Sequence, residues 1–165
     1  QIAIIGDSHV RRLAEANQQT GYLQKKMFTP TFIFKGGAWT NWLWTVQLNE
    51  QFDYIILAIG SNELQSCSIE NLLGKLDSYA HFLVANGYCK KAFVMGLWPR
   101  PNVGFCNKAW RFNERGMTRH WHQDVMFWKW SKKLRFCFED QAHLKKQCYV
   151  RALKYLISPV IFCRK

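Results

Sequence analysis

Short apolar runs alternate along this chain with segments in which apolar residues recur at helical spacing. The runs predict five strands, at residues 2–5, 31–34, 54–59, 92–95 and 125–127. The segments between them predict helices from residue 10 to about residue 20 and at 40–49, 69–86, 108–123 and 144–157. Strands that alternate with helices are typical of βαβ units. We therefore predict an α/β fold, a three-layer αβα sandwich around a flavodoxin-like parallel sheet of five strands in the order 2-1-3-4-5.

Length and composition fit one folded domain. The chain has 165 residues, of which 48% are hydrophobic and 16% aromatic, so we expect a single domain over 1–165. Its longest apolar runs are far shorter than the about 20 residues that cross a bilayer, and we expect no transmembrane segment. Because the chain begins at Gln1 and enters an apolar run at once, we expect a domain excised from a longer protein. The six widely spaced cysteines predict reduced thiols and an intracellular, cytoplasmic setting.

Charge is distributed unevenly along the chain. Residues 1–89 carry 6 Lys and Arg against 7 Asp and Glu, whereas residues 90–165 carry 17 against 4. Basic residues mixed with tryptophans suit contact with phosphates and stacking on bases, so nucleic acid or an anionic membrane surface is a candidate partner. The alternative is a solvated basic face whose tryptophans are in the core. The candidate anion-binding residues are Arg111, Arg115, Arg119, Lys132 and Lys133.

Polar residues with catalytic potential follow the predicted strands. Gly-Asp-Ser-His at 6–9 follows the first strand, Gly-Gly-Ala at 36–38 the second and Gly-Ser-Asn-Glu at 60–63 the third, while Asp-Gln-Ala-His at 140–143 precedes the last helix. Ligands bind beyond the carboxyl ends of parallel strands, so we expect these segments to meet at one rim. Together they supply a hydroxyl, an amide turn, a carboxamide and an Asp–His pair, which is the inventory of a hydrolase.

These four segments resemble the sequence blocks of the SGNH hydrolases, also called GDSL esterases. The family pattern has Gly-Asp-Ser after the first strand, Gly after the second, Gly-x-Asn after the third and Asp-x-x-His before the last helix, and this chain contains all four in that order. The resemblance spans nearly the whole chain and implies the SGNH-hydrolase fold. The opening Gly-Asp-Ser-His-Val-Arg-Arg of a basic domain also resembles the esterase domains carried by some animal retrotransposons.

The resemblance implies a serine esterase that hydrolyses acyl esters, acetyl or longer, through an acyl-enzyme intermediate. Ser8 would be the nucleophile, His143 the base that takes its proton and Asp140 the group that orients the imidazole. The resemblance assigns the oxyanion hole to the backbone amides of Ser8 and Gly37 and to the side-chain amide of Asn62. Gly37 is preferred to Gly36 because a small residue, Ala38, follows it. No cofactor and no metal are expected.

Each of these residues also has a structural interpretation. Ser8 could cap the first helix, Asn62 could close a turn and Asp140 could cap the last helix. In that case the chain would be a weak or inactive SGNH-fold module that binds nucleic acid, an anionic membrane or a protein through its basic half. Turnover of a short-chain ester separates the two hypotheses.

Three features depart from the family pattern or add to it. Glu63 stands where Asp commonly follows the Asn, and we expect it to keep a structural acceptor role. His9 follows the serine and could contact substrate, but we expect an exposed residue of the first helical turn. His120 and His122 alternate as metal ligands do, but without a supporting carboxylate pattern we expect no metal there.

Overall fold

The sheet of this protein contains five parallel strands. The computed structural model describes residues 1–98, 100–130, 140 and 143–164. The strands pair in the order β2-β1-β3-β4-β5, and each neighbouring pair is parallel. Their bounds are β1 (Ile2–Gly6), β2 (Pro30–Phe34), β3 (Phe52–Ala58), β4 (Cys89–Met95) and β5 (Val125–Trp128). The predicted strand order is confirmed.

Helices cover both faces of the sheet and enclose two separate cores. Alternate residues of β1 show the division, since Ala3 and Ile5 pack on one side and Ile2 and Ile4 on the other. All five residues of β1 are buried, as expected for a strand covered on both faces. The predicted three-layer sandwich is therefore confirmed. Its helices are α1 (Ser8–Thr20), α2 (Tyr22–Lys25), α3 (Ile69–Ala85), α4 (Val103–Thr118) and α5 (Lys146–Arg164).

Helices α3 and α4 pack on the first face of the sheet, and α1 and α5 pack on the second. None of the helices that the structure describes is long and apolar enough to cross a membrane.

The helix predicted at 40–49 is wrong, because this segment forms only a short 3-10 helix, Thr40–Thr45. Its two buried residues, Thr40 and Leu43, are three positions apart, which matches the three-residue turn of a 3-10 helix. The carboxylate of Glu63 accepts two hydrogen bonds from Thr40, one from its backbone N–H at 2.5 Å and one from the Thr40 hydroxyl at 3.0 Å. This pair fixes the start of the turn, and the expected acceptor role of Glu63 is confirmed.

Helix α4 begins and ends about five residues before the predicted bounds of 108–123. The side chain of Asn102 accepts the backbone N–H of Phe105 at 2.8 Å, so it caps the helix at this earlier start. At the other end the indole of Trp121 donates to the carbonyl of Gly116 at 2.7 Å and satisfies one of the last carbonyls of the helix. The loop between β4 and α4 is therefore shorter than the sequence pattern indicates.

Candidate active site

Ser8 is the first residue of α1 and lies directly beyond the carboxyl end of β1. A Cβ at Gly6 would lie 2.0 Å from the carbonyl oxygen of Ala58, so only glycine fits this close strand pairing. Asp7 is the N-cap of α1, since its carboxylate accepts the backbone N–H of His9 at 3.0 Å. The helix is therefore capped by Asp7 and not by Ser8, which leaves the serine hydroxyl for another partner.

That partner is His143. Oγ of Ser8 lies 2.9 Å from Nε2 of His143, although the two residues are 135 positions apart. On the other side of the ring, Nδ1 of His143 lies 3.1 Å from Oδ2 of Asp140, and Oδ1 of Asp140 accepts the backbone N–H of His143 at 2.7 Å. One carboxylate thus holds both the ring and the main chain of the same histidine. A carboxylate at Nδ1 favours the tautomer whose Nε2 accepts from the serine hydroxyl.

Asp140 does not cap the last helix, because α5 begins six residues later, at Lys146. Its side chain is 51% exposed, while that of His143 is 22% exposed. The Asp–His pair therefore stands at the surface of the site, and its histidine is turned inward to Ser8. This geometry allows a proton to pass from the serine hydroxyl to the imidazole.

His9 is buried, so the expectation of an exposed residue is wrong. Its ring stacks on Trp98 with centroids 4.7 Å apart and lies 5.4 Å from the ring of His143. Burial, followed by the positive charge of neighbours that include Arg100, lowers the pKa of His9 well below its usual range. A neutral imidazole therefore lies beside the Ser8–His143 pair.

Tyr149 connects His9 to the segment that carries His143. Its hydroxyl lies 2.9 Å from Nδ1 of His9 and accepts the backbone N–H of Leu144 at 3.2 Å. Burial raises the pKa of Tyr149, so the phenol keeps its proton and can donate it to His9. The start of α1 and the residue after His143 are thereby held to one side chain of α5.

The loops after β2 and β3 bring further hydrogen-bond donors to the same edge of the sheet. Gly37 has φ +70°, a conformation that favours glycine, in a turn closed by the N–H of Ala38 on the carbonyl of Lys35 at 3.2 Å. Nδ2 of Asn62 donates to the carbonyl of Ala38 at 3.1 Å and ties the two loops together. Within the described part of the chain, the backbone N–H groups of Ser8 and Gly37 have no hydrogen-bond acceptor.

The remaining amide hydrogen of Asn62 and these two N–H groups are donors that a developing oxyanion would need. The sequence-based choice of Gly37 over Gly36 agrees with the positive φ at Gly37. The assignment of an oxyanion hole to this set stays a prediction.

Asp7 is a second carboxyl group next to the site, and it is almost fully buried. Burial raises its pKa to about 6, while the N–H of His9 and the charge of Arg100 act in the opposite direction. This carboxyl group therefore titrates near pH 6. It contacts neither Ser8 nor His143 through a hydrogen bond of its side chain.

The predicted anion-binding residues lie partly on α4 and just beyond it. Arg115 pairs with Glu70 at 3.3 Å and Arg119 with Asp77 at 3.5 Å, whereas Arg111 is exposed to solvent. Two of the three described members are therefore matched by carboxylates of α3. Lys132 and Lys133 lie outside the described residues. A continuous anion-binding surface stays a prediction.

Among the residues that the structure describes, only one of the two alternating histidines contacts a carboxylate. Nδ1 of His122 lies 3.0 Å from Oδ1 of Asp77, and its ring stacks on His81 with centroids 4.2 Å apart. His122 therefore joins the loop after α4 to α3. His120 is exposed and takes no part in this contact.

Sequence reasoning did not identify Trp98, Arg100 or Tyr149 as neighbours of the site. The first two follow β4, whose carboxyl end lies at the same edge as those of β1 and β3. Their place after a strand was therefore a usable signal. Tyr149 had none, because nothing in a helical pattern indicates which of its aromatic residues contacts a distant loop.

Comparison with known proteins gives matches in structure alone. No family model and no curated protein matches this sequence. A candidate acylhydrolase of Bacteroides fragilis NCTC 9343 matches with TM-score 0.76 and 12% identity over 99% of this chain and 86% of that one. A member of the lipolytic G-D-S-L family from Veillonella parvula DSM 2008 matches with TM-score 0.69 and 14% identity over 98% of this chain and 97% of that one. A family two carbohydrate esterase of Cellvibrio japonicus matches with TM-score 0.65 and 14% identity over 96% of this chain and 59% of that one.

At these identities the likeness establishes the fold. The α/β sandwich of this chain is the fold of the GDSL, or SGNH, lipolytic hydrolases. What the chain does must be argued from its own residues.

Proposed function

We propose that this domain is a serine ester hydrolase of the SGNH type, which cleaves acetyl or longer acyl esters. The observation that carries the proposal is the contact of Ser8 Oγ with His143 Nε2 at 2.9 Å, with Asp140 on the opposite ring nitrogen at 3.1 Å. A surface Asp–His pair without a function would have no reason to face a serine 135 residues away. The fold, shared with lipolytic hydrolases and a carbohydrate esterase, supports the same class of reaction.

The reaction starts when Oγ of Ser8 attacks the ester carbonyl carbon and Nε2 of His143 takes the hydroxyl proton. The carbonyl oxygen becomes an oxyanion, which accepts hydrogen bonds from the N–H groups of Ser8 and Gly37 and from Nδ2 of Asn62. The C–O bond to the alcohol then breaks, and the alcohol leaves with the proton held by His143. An acyl group remains on Ser8.

Hydrolysis of this acyl-enzyme repeats the same steps with water. His143 takes a proton from water as the water oxygen attacks the acyl carbon, and it returns that proton to Oγ of Ser8 as the acid leaves. Asp140 keeps Nδ1 of His143 protonated and stabilises the imidazolium formed in both steps. The cycle ends with Ser8, His143 and Asp140 in their original hydrogen bonds.

The proposal is tested with 4-nitrophenyl acetate and the variant Ser8→Ala. Loss of the nucleophile should lower kcat by at least about 1000-fold. The matched control is Ser78→Ala, since Ser78 is an exposed serine of α3 and should leave turnover unchanged. A fluorophosphonate should label Ser8 in the wild-type protein. If neither acetyl nor octanoyl esters are turned over, or if Ser8→Ala keeps its activity, the proposal is wrong.

A second candidate function is binding of nucleic acid or an anionic membrane through the basic half. It is favoured by the 17 basic against 4 acidic residues in 90–165 and by the exposure of Arg111. Affinity for single-stranded RNA or for anionic vesicles should then fall steeply with salt, as counterion release requires. The combined change of Arg111, Lys132 and Lys133 to Gln should weaken binding and leave hydrolysis of a neutral ester unchanged. Salt-independent binding would contradict this function.

A further inference from the structure

Arg100 lies at the rim of the candidate active site. It follows β4 and stands two residues after Trp98, whose ring stacks on His9. Successive Cα atoms are 3.8 Å apart, so the Cα atoms of Arg100 and Trp98 lie within about 8 Å of each other. His9 is bonded to Ser8, and its ring lies 5.4 Å from that of His143. The charge of Arg100 acts on His9, so Arg100 lies near the residue that adjoins both Ser8 and His143.

The guanidinium of Arg100 has hydrogen-bond donors without an acceptor in the part of the chain that the structure describes. Its Cζ lies 4.5 Å from the ring centroid of Phe105, so the group stacks on an aromatic face. Its Nε is buried and has no hydrogen-bond partner. Among the described residues no carboxylate lies within 4 Å of the group, and none accepts a hydrogen bond from it. A guanidinium carries five N–H donors, and donors left unpaired inside a protein cost stability.

The two carboxylates whose charge acts on Arg100 are both engaged elsewhere. Asp7 caps α1 through the N–H of His9, and Asp140 holds the ring and the main chain of His143. Burial lowers the pKa of Arg100, whereas these two carboxylates favour its charged form. An arginine keeps its charge at neutral pH even so. Among the described residues, no acidic side chain is paired with this cation at the rim.

We propose that Arg100 binds an anionic group of the substrate, so that the preferred ester carries a carboxylate or a phosphate near the bond that is cleaved. This rests on the proposed esterase function. A planar guanidinium matches the two oxygens of either group in a bidentate contact. The contact with the Phe105 ring holds the guanidinium at the rim while its N–H groups stay available to a ligand. Such a substrate would supply acceptors for the donors that the described residues leave unpaired.

The test compares two aryl acetates that differ in one carboxyl group, which is free in one and methylated in the other. 4-Acetoxybenzoate carries a carboxylate on its alcohol part, and methyl 4-acetoxybenzoate is its neutral counterpart. For the wild-type protein kcat/KM should be higher for the anion. Arg100→Gln should lower kcat/KM for the anion by about 10- to 100-fold and change the neutral ester by less than about twofold, since the lost contact is a charged hydrogen bond. For Arg100→Lys, kcat/KM for the anion should lie between the values for the wild-type protein and for Arg100→Gln.

Arg151→Gln is the matched control, because it removes one exposed positive charge from α5, the helix that carries Tyr149. It should leave the ratio of the two esters unchanged. 4-Acetoxyphenyl phosphate provides the phosphate arm, and the better of the two anions identifies the group that the site prefers. Added NaCl should reduce the preference for either anion.

Two results would overturn the proposal. One is an equal loss for the anionic and the neutral ester in Arg100→Gln, which would make Arg100 a structural residue. The other is a wild-type protein without preference for the anion. If no ester at all is turned over, the esterase function fails and the anion site is tested by itself. Binding of 4-hydroxybenzoate, followed by NMR, should then be lost in Arg100→Gln and kept in Arg151→Gln, and equal binding by both variants would refute the site.

Discussion

The substitution Asp7→Asn should stabilise this protein at alkaline pH, which is an unusual result for a residue that caps a helix. Asp7 is only 2% exposed, and burial raises its pKa from an ordinary 3.8 to about 6. The substituted amide keeps an oxygen that can accept the N–H of His9, and Asn caps helices as well as Asp does. The variant therefore removes the charge and keeps the cap.

The sign of the effect follows from linkage between protonation and folding. A carboxyl group whose pKa is raised on folding binds its proton more tightly in the folded state. Its contribution to stability is complete below about pH 4 and is lost as the pH rises through about 6. A rise of about two pKa units corresponds to roughly 3 kcal/mol. Above pH 6 the wild-type protein carries this penalty, and Asp7→Asn does not.

Urea unfolding at two pH values measures the difference. At pH 8 we expect Asp7→Asn to exceed the wild-type free energy of unfolding by about 2 to 3 kcal/mol, or roughly 4 to 12 °C in Tm. At pH 4.5 the gain should shrink to about 1 kcal/mol, because the unfolded carboxyl is then only partly ionised. Asp7→Ala is the matched variant, which removes the same charge together with the cap and should be about 1 kcal/mol less stable than Asp7→Asn.

A difference in stability that is the same at both pH values would refute this reasoning. So would a loss of stability in Asp7→Asn at pH 8. Either result would mean that the charge of Arg100 and the N–H of His9 outweigh burial and hold the folded carboxylate ionised.

Two further predictions concern packing and positioning. Gly116→Ala should lower the free energy of unfolding, measured with denaturant, by roughly 1 to 3 kcal/mol, because the added Cβ would lie 2.3 Å from the ring of Phe127. Gly74→Ala is the control and should not destabilise the protein, because a Cβ at Gly74 would meet no atom within 4 Å. Tyr149→Phe removes the hydroxyl that holds His9 and the N–H of Leu144, so kcat for a neutral ester should fall about 10-fold with little change in KM. An unchanged kcat would show that packing alone positions this segment.

The sheet could be predicted from the sequence because its burial leaves a direct mark on composition. Strands covered on both faces are continuous apolar runs, as in β1, and the turns between elements carry their own signals. The segment at 40–49 could not be predicted in this way. Its conformation depends on the Glu63 carboxylate, which reaches Thr40 from 23 residues away. The spacing of apolar residues within this segment does not indicate that contact.

The residues of the site differ in the same way, since some are indicated by local sequence and others depend on distant contacts. Ser8, Asn62 and His143 could be identified because each follows a strand or precedes a helix within a recognisable block of sequence. The burial of His9 could not, since it depends on Trp98 and Tyr149, which approach from β4 and α5. A histidine in the first turn of a helix is equally compatible with solvent and with the core.

The burial of His9 matters for the chemistry proposed at its neighbour. In the proposed mechanism positive charge develops on His143, whose ring centroid lies 5.4 Å from that of His9. Two unit charges at that separation would repel each other by about 3 kcal/mol at an effective dielectric constant of about 20. Such a penalty on the transition state would slow the reaction by roughly 100-fold. Because Trp98 and Tyr149 enclose His9 and keep it neutral, the chain can place a second histidine next to its nucleophile without opposing the imidazolium on which catalysis depends.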